Sequence, residues 1–136
     1  MTTTDGLGLG PIGQVSRQVS DIEVAVHWYG TVLGLPHLYT FGDLAFFDCG
    51  GVRLFLSAAA DDGPAGEASV LYFQVSDIHH AYEQLRSRGV EFLGAPHLIH
   101  RHASGIEEWM AFFNDPDQRP LAIMTQIQPP AQTHPD

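Results

Sequence analysis

Lysine is absent from this chain. Sixteen acidic residues stand against six arginines, a formal charge of −10, and so acidic a surface argues against a nucleic-acid backbone or an anionic membrane as partner. Small molecules and further copies of the chain remain. Cysteine is nearly absent as well: the single Cys49 can form no internal disulfide, and the opening MTTTDGLGLG has neither the basic start nor the apolar run of a signal peptide. A reducing cytoplasm is the expected location. No run approaches the roughly 18 uninterrupted apolar residues of a membrane span. At 136 residues there is room for one compact domain with one sizeable core, so any internal repeat must be a half-domain.

A repeat is present. The pentapeptide QVSDI occurs at Gln18–Ile22 and again at Gln74–Ile78, 56 residues on, each time between a β-like run and a helix-like one. Ile12 to Val19 reads as a strand. In the helix that follows, Ser20 and Glu23 have capping-box spacing and Ile22, Val26, Tyr29 and Leu33 form an apolar stripe; Gly34 and Pro36 end it. Three β-like runs come next, HLYTF, LAFFDC and VRLFLSA, divided by the turn signals Gly42-Asp43 and Gly50-Gly51.

After the polar connection AAADDGPAGEA the order restarts. Ser69 to Val75 reads as a strand, Asp77 to Arg88 as a helix closed by Gly89, and Val90 to Leu93, HLIHRH, EEWMAFF and PLAIMTQI as further β-like runs, with a turn at DPDQ. The expectation is an α+β fold of two βαβββ modules that share a core. Module one covers 10–59, a linker 60–67 and module two 68–127, between a flexible N-terminus, 1–9, and a flexible tail, 128–136.

The phrase VSDIEVAVHWYGTVLGL, the run from VSDI through a helix to SRGVEF, and FFNDPDQRPLAIM resemble the vicinal oxygen chelate superfamily, which includes glyoxalase I, extradiol dioxygenases and bleomycin-resistance proteins. The resemblance runs from about Gly10 to Gln126. It implies two curled mixed sheets around a cavity, a divalent metal held by side chains from both modules, and pairing into homodimers. Carried over by motif, the four metal positions fall on Gln14 in IGQVS, Phe55 in RLFLS, Val70 in SVLYF and Ala122 in PLAIM. Only Gln14 offers a lone pair, whereas a catalytic divalent site takes about three protein donors. Slipping the register by one residue supplies no better ligand at the other three. No metal is therefore expected at the superfamily position, no cofactor is expected, and a divalent metal is left open only at a non-standard site.

Strand alternation describes what replaces it. Gln14, Ser16 and Gln18 share one face, as do Arg53, Phe55 and Ser57, then Val70, Tyr72 and Gln74, then Ala122 and Met124, with Met110 and Phe112 on the cavity side if the hairpin follows the family pattern. Such a lining suits a flat, partly apolar ligand, aromatic or carboxylate-bearing. Arg53 cannot shed its charge and must meet an anion: an internal acid, a solvent-open mouth or, as favoured here, the ligand. Arg17 falls on the opposite, helix-packing face.

PHLIHRHASGIEEW is the other place for chemistry. On a strand His100 and His102 point the same way and Glu108 can add a carboxylate, so these three are the catalytic candidates, for proton transfer or a non-standard metal; a solvated edge hairpin is the plainer reading. His97 is expected to face away from His100. Cys49 reads as packing and DPDQ as a turn. Three functions stay open: a metal-independent binding protein, a lyase or isomerase of glyoxalase type built on His100, His102 and Glu108, and a regulatory dimer without ligand. The last leaves polar Gln14, Arg53 and Gln74 without purpose.

Overall fold

The computed structural model describes residues 8–58 and 69–129. The chain divides into two compact units, Met1–Gly66 and Glu67–Asp136. The linker expected at 60–67 lies outside the described residues, as do most of 1–9 and 128–136. No described helix is long and apolar enough to cross a membrane.

The first unit runs β1 (Gln14–Gln18), α1 (Ile22–His27), β2 (His37–Phe41), β3 (Leu44–Cys49) and β4 (Val52–Ser57), in an open mixed sheet of order β1-β4-β3-β2. β1 runs parallel to β4 and the rest are antiparallel. The second unit repeats the plan: β5 (Leu71–Gln74), α2 (Ile78–Ser87), β6 (His97–Arg101), β7 (Glu107–Asn114) and β8 (Pro120–Ile127), ordered β5-β8-β7-β6 with β5 parallel to β8. This is the α+β architecture of two βαβββ modules.

The repeated pentapeptide turns out to be a helix start. Asp21 is the N-cap of α1, its Oδ1 accepting the Glu23 and Val24 backbone N–H groups at 2.9 and 3.1 Å, and Asp77 caps α2 by accepting from the His80 N–H at 3.0 Å. Both caps have extended backbones, φ −143° and −135°, so one residue ends the strand register and supplies an acceptor to otherwise unpaired helix donors. The cap is thus Asp21, one residue beyond the expected Ser20. A second difference follows in the same helix: α1 runs on as a π-helical turn over Trp28–Val32, which shifts the inward face. Ala25 and Tyr29 are buried, while Ile22, Val26 and Leu33 are only half-buried. Gly30 lets the helix backbone approach the sheet, since a Cβ there would lie 3.3 Å from Phe47 Cε2.

Each helix packs on one face of its own sheet. In the first unit Tyr29, Ala45, Phe47, Leu54 and Leu56 are fully or almost fully buried, and Arg17 is buried on that same face; in the second, Ile78, Ala111, Phe113, Leu121 and Ile123 are. Two-residue turns hold the register. Cys49 pairs with Val52 across Gly50 and Gly51, both at positive φ, the backbone a tight hairpin requires. Val90–Leu93 is not a strand: Phe92 makes one isolated bridge to Phe113, and the Leu93 N–H reaches the Phe112 carbonyl at 2.8 Å. At the DPDQ turn, buried Asp115 accepts the Asp117 and Arg119 N–H groups, both at 2.9 Å.

Asp21→Ala and Asp77→Ala are each expected to cost about 1 kcal/mol of unfolding free energy, and Asp→Asn at either site much less, because the amide oxygen still caps. Urea melts of the four variants check this.

Candidate functional site

The face of each sheet turned away from its helix carries most of the candidate residues. In the first unit β4 lies between β1 and β3, and the register places Arg53 between Gln14 and Asp48 and Phe55 between Ser16 and Phe46. Facing residues of paired strands project to the same side, and Tyr39 of β2 extends the second row beyond Phe46. Three rings stack across three strands. Tyr39 and Phe46 have centroids 4.6 Å apart with planes at 28°, and Phe46 and Phe55 are 4.9 Å apart at 12°.

Arg53 is fixed on this ladder from two sides. Its guanidinium carbon lies 5.2 Å from the Phe46 centroid, within cation–π reach, and its Nε donates to Gln14 Oε1 at 2.8 Å. Asp48, directly across from it, accepts the Gly51 backbone N–H at 3.0 Å. Among the described residues Arg53 forms no ion pair. Gln18 and Ser57 face one another further along the same side. Tyr39 and Phe46 are missing from the expected lining; counting back from the Gly50-Gly51 turn, which sets Phe46 opposite Phe55, is the signal that finds Phe46.

In the second unit Tyr72, Ala122 and Phe112 form one row, and Gln74, Met124, Met110 and His97 the next. Tyr72 and Phe112 meet edge to face at 5.9 Å. Val70 lies outside β5 and has no place in the ladder, and Ala122 is fully buried. A third row holds Gln126, Glu108 and His100. His97 is on the side of His100, contrary to the expectation of opposite facing, because a bulge between Leu98 and His100 inserts one residue and restores the phase.

The bulge also shapes the polar end of this face. His102 Nε2 lies 2.8 Å from Glu108 Oε2, and Gln126 Nε2 donates to the same oxygen at 2.7 Å. An ionised carboxylate only accepts, so His102 donates through Nε2. The His100 and His102 rings pack edge to face at 4.6 Å. The structure therefore brings His100, His102 and Glu108 together and adds Gln126 and His97. Glu107 points to the helix side, where it accepts from Trp109 Nε1 at 2.8 Å and from Arg101. Cys49 has its thiol pushed up by burial and by Asp48, a poor start for a nucleophile.

Of the four positions carried over from the superfamily by motif, only Gln14 has a donor atom. Phenyl, isopropyl and methyl groups stand at Phe55, Val70 and Ala122, and the oxygen of Gln14 is already engaged by Arg53. Among the described residues, no group of three or more His, Cys, Asp or Glu is arranged to hold a metal ion.

The Glyoxalase/Bleomycin resistance protein/Dioxygenase superfamily model matches residues 11–122, and the chain belongs to that superfamily. Among solved structures, it is similar to a glyoxalase/bleomycin resistance protein/dioxygenase from Nocardioides, with 23% identity over 95% of this chain and 93% of the other and a TM-score of 0.68. A superfamily member from Sphaerobacter thermophilus has 22% identity over 88% and 99%, TM-score 0.70. A lactoylglutathione lyase from Agrobacterium tumefaciens has 20% identity over 87% and 95%, TM-score 0.67.

Glu108 is held below its ordinary value of 4.5, first by the hydrogen bond from His102 and next by that from Gln126. A depressed folded value means that its support of the β6–β7 hairpin is fully present above the ordinary value and is lost as pH falls through the folded one. A carboxyl-detected NMR titration is expected to place the Glu108 midpoint below that of free glutamate, with His102→Ala moving it back up.

Proposed function

We propose that this protein binds a small organic ligand and does so without the metal usual in its superfamily. One observation carries the reading: Gln14, alone among the four superfamily metal positions in having a donor atom, has that atom tied to Arg53, on a sheet face that also carries a row of three stacked rings. Such a face recognises flat, partly apolar molecules by ring contact and orients them through few polar groups. The acidic chain, without lysine, fits no nucleic acid or anionic membrane, and a cytoplasmic setting accords with its lone, unpaired Cys49.

A lyase or isomerase of glyoxalase type is the second reading. The His102–Glu108 hydrogen bond favours it, since a carboxylate that fixes an imidazole's tautomer and orientation is the usual support of a histidine that carries protons. His100, edge on to His102, is then the second titratable group. A non-standard metal in this reading belongs to the same histidines.

Elemental analysis of untagged protein purified without chelators separates the two. Metal well below one equivalent is expected. Near-unit zinc, nickel or iron that disappears in Gln14→Ala would overturn the metal-free reading; metal that disappears instead in His100→Ala or His102→Ala moves the protein to the second.

The protein is further proposed to be a homodimer, because open sheets end in edge strands that need covering, and β2 and β6, one edge strand of each sheet, are exposed along their whole length. Light scattering at micromolar concentration is expected to give twice the chain mass of 14.9 kDa, and a monomer mass refutes it.

A further inference from the structure

The row that holds the three rings has a fourth position. Reading across the sheet it runs Tyr39, Phe46, Phe55, Ser16, and the stack of rings stops at Phe55 because the β1 side chain ends in a hydroxyl. A flat ring laid over Ser16 against Phe55 continues a stack whose neighbouring spacings are 4.6 and 4.9 Å. The next row along β1 and β4 is Gln14 and Arg53, so a substituent on that ring reaches the guanidinium.

Arg53 is prepared for one kind of substituent. Its guanidinium carbon lies over the Phe46 ring and its Nε is engaged by Gln14, and its two terminal nitrogens take no partner among the described residues. A planar fork with both arms open matches the two oxygens of a carboxylate. Holding the guanidinium beforehand also removes most of the side-chain ordering that such a contact costs. Asp48, the acid across the strand, does not close the fork, since its hydrogen bond goes to the Gly51 turn.

We infer that the ligand of this face is a flat aromatic carboxylate, its ring stacked on Phe55 over Ser16 and its carboxylate held by Arg53. This rests on the proposed binding function and names the class of ligand. A neutral ring of the same shape keeps the stacking and loses the fork. An aliphatic carboxylate keeps the fork and loses the stacking.

Calorimetry with 2-naphthoate and 2-naphthamide, equal in shape and different in charge, tests it on the full chain. Naphthoate is expected to bind about ten- to a hundredfold tighter than naphthamide, the scale of charge-assisted hydrogen bonds. Arg53→Met is expected to bring naphthoate down to the naphthamide level. Ser16→Phe, which supplies the fourth ring, is expected to weaken both at least tenfold. Near-ultraviolet circular dichroism reports the fold, and should Arg53→Met fail to fold, Arg53→Lys keeps the charge without the fork and is expected to show an intermediate loss. Equal binding of the two probes, weakened by Ser16→Phe, overturns the carboxylate and leaves the binding function standing. Naphthoate binding unmoved by either Arg53 variant in a folded protein also overturns it. If neither probe binds at millimolar concentration, both the inference and the aromatic-face reading fall.

Discussion

A helix laid on one face of each four-stranded sheet decides what the other face can carry. Because strand side chains alternate with period two, every residue that packs beneath a helix hands its neighbours to the opposite side. Leu54 and Leu56 lie under α1, so Arg53 and Phe55 cannot. Ala111 and Phe113 are buried on the α2 side, so Met110 and Phe112 are turned away from it. The two aspartate caps start that division. At Asp21 and Asp77 the chain leaves the sheet and begins the helix that covers it, which gives the pentapeptide a structural reason to appear twice.

On the first sheet, two of the positions carried over from the superfamily by motif, Gln14 and Phe55, take part in other contacts. Gln14 is a weak ligand by itself, and with Phe55 as its companion it cannot complete a coordination sphere. Its amide oxygen instead positions Arg53, and Phe46 supplies the surface on which the guanidinium lies. For the proposed ligand, one fixed positive group beside rings is a selective feature in a chain of net charge −10, whose overall field repels anions. A short-range fork is suited to that setting, because salt screens the distant carboxylates more than the contact itself.

The second sheet reaches a polar end through an irregularity. The bulge in β6 brings His97 and His100 to one side, and the bulge in β2, between His37 and Tyr39, occupies the corresponding edge strand of the first unit. Bulges on edges discourage open pairing with other chains and re-aim side chains. Here the re-aiming puts His97 on the face of His100, while nearer the turn His102 and Gln126 are both directed at one oxygen of Glu108.

Local sequence determined a good deal of this. The strand-to-helix joins, the glycine turns, the order of elements and the faces of β1, β4 and β8 all follow from propensity and period over a few residues. Other features depended on partners far along the chain. The close approach of Gly30 to Phe47 joins residues of different elements; the ring ladder needs three strands in register; the placement of His97 needs a bulge that alternation cannot foresee; Val90–Leu93 reads as a strand but finds only a single bridge. Periodicity says which side of its own strand a residue takes. Which residue stands beside it is settled only when inter-strand hydrogen bonds fix the register, and those bonds are made by backbone groups that every residue type shares.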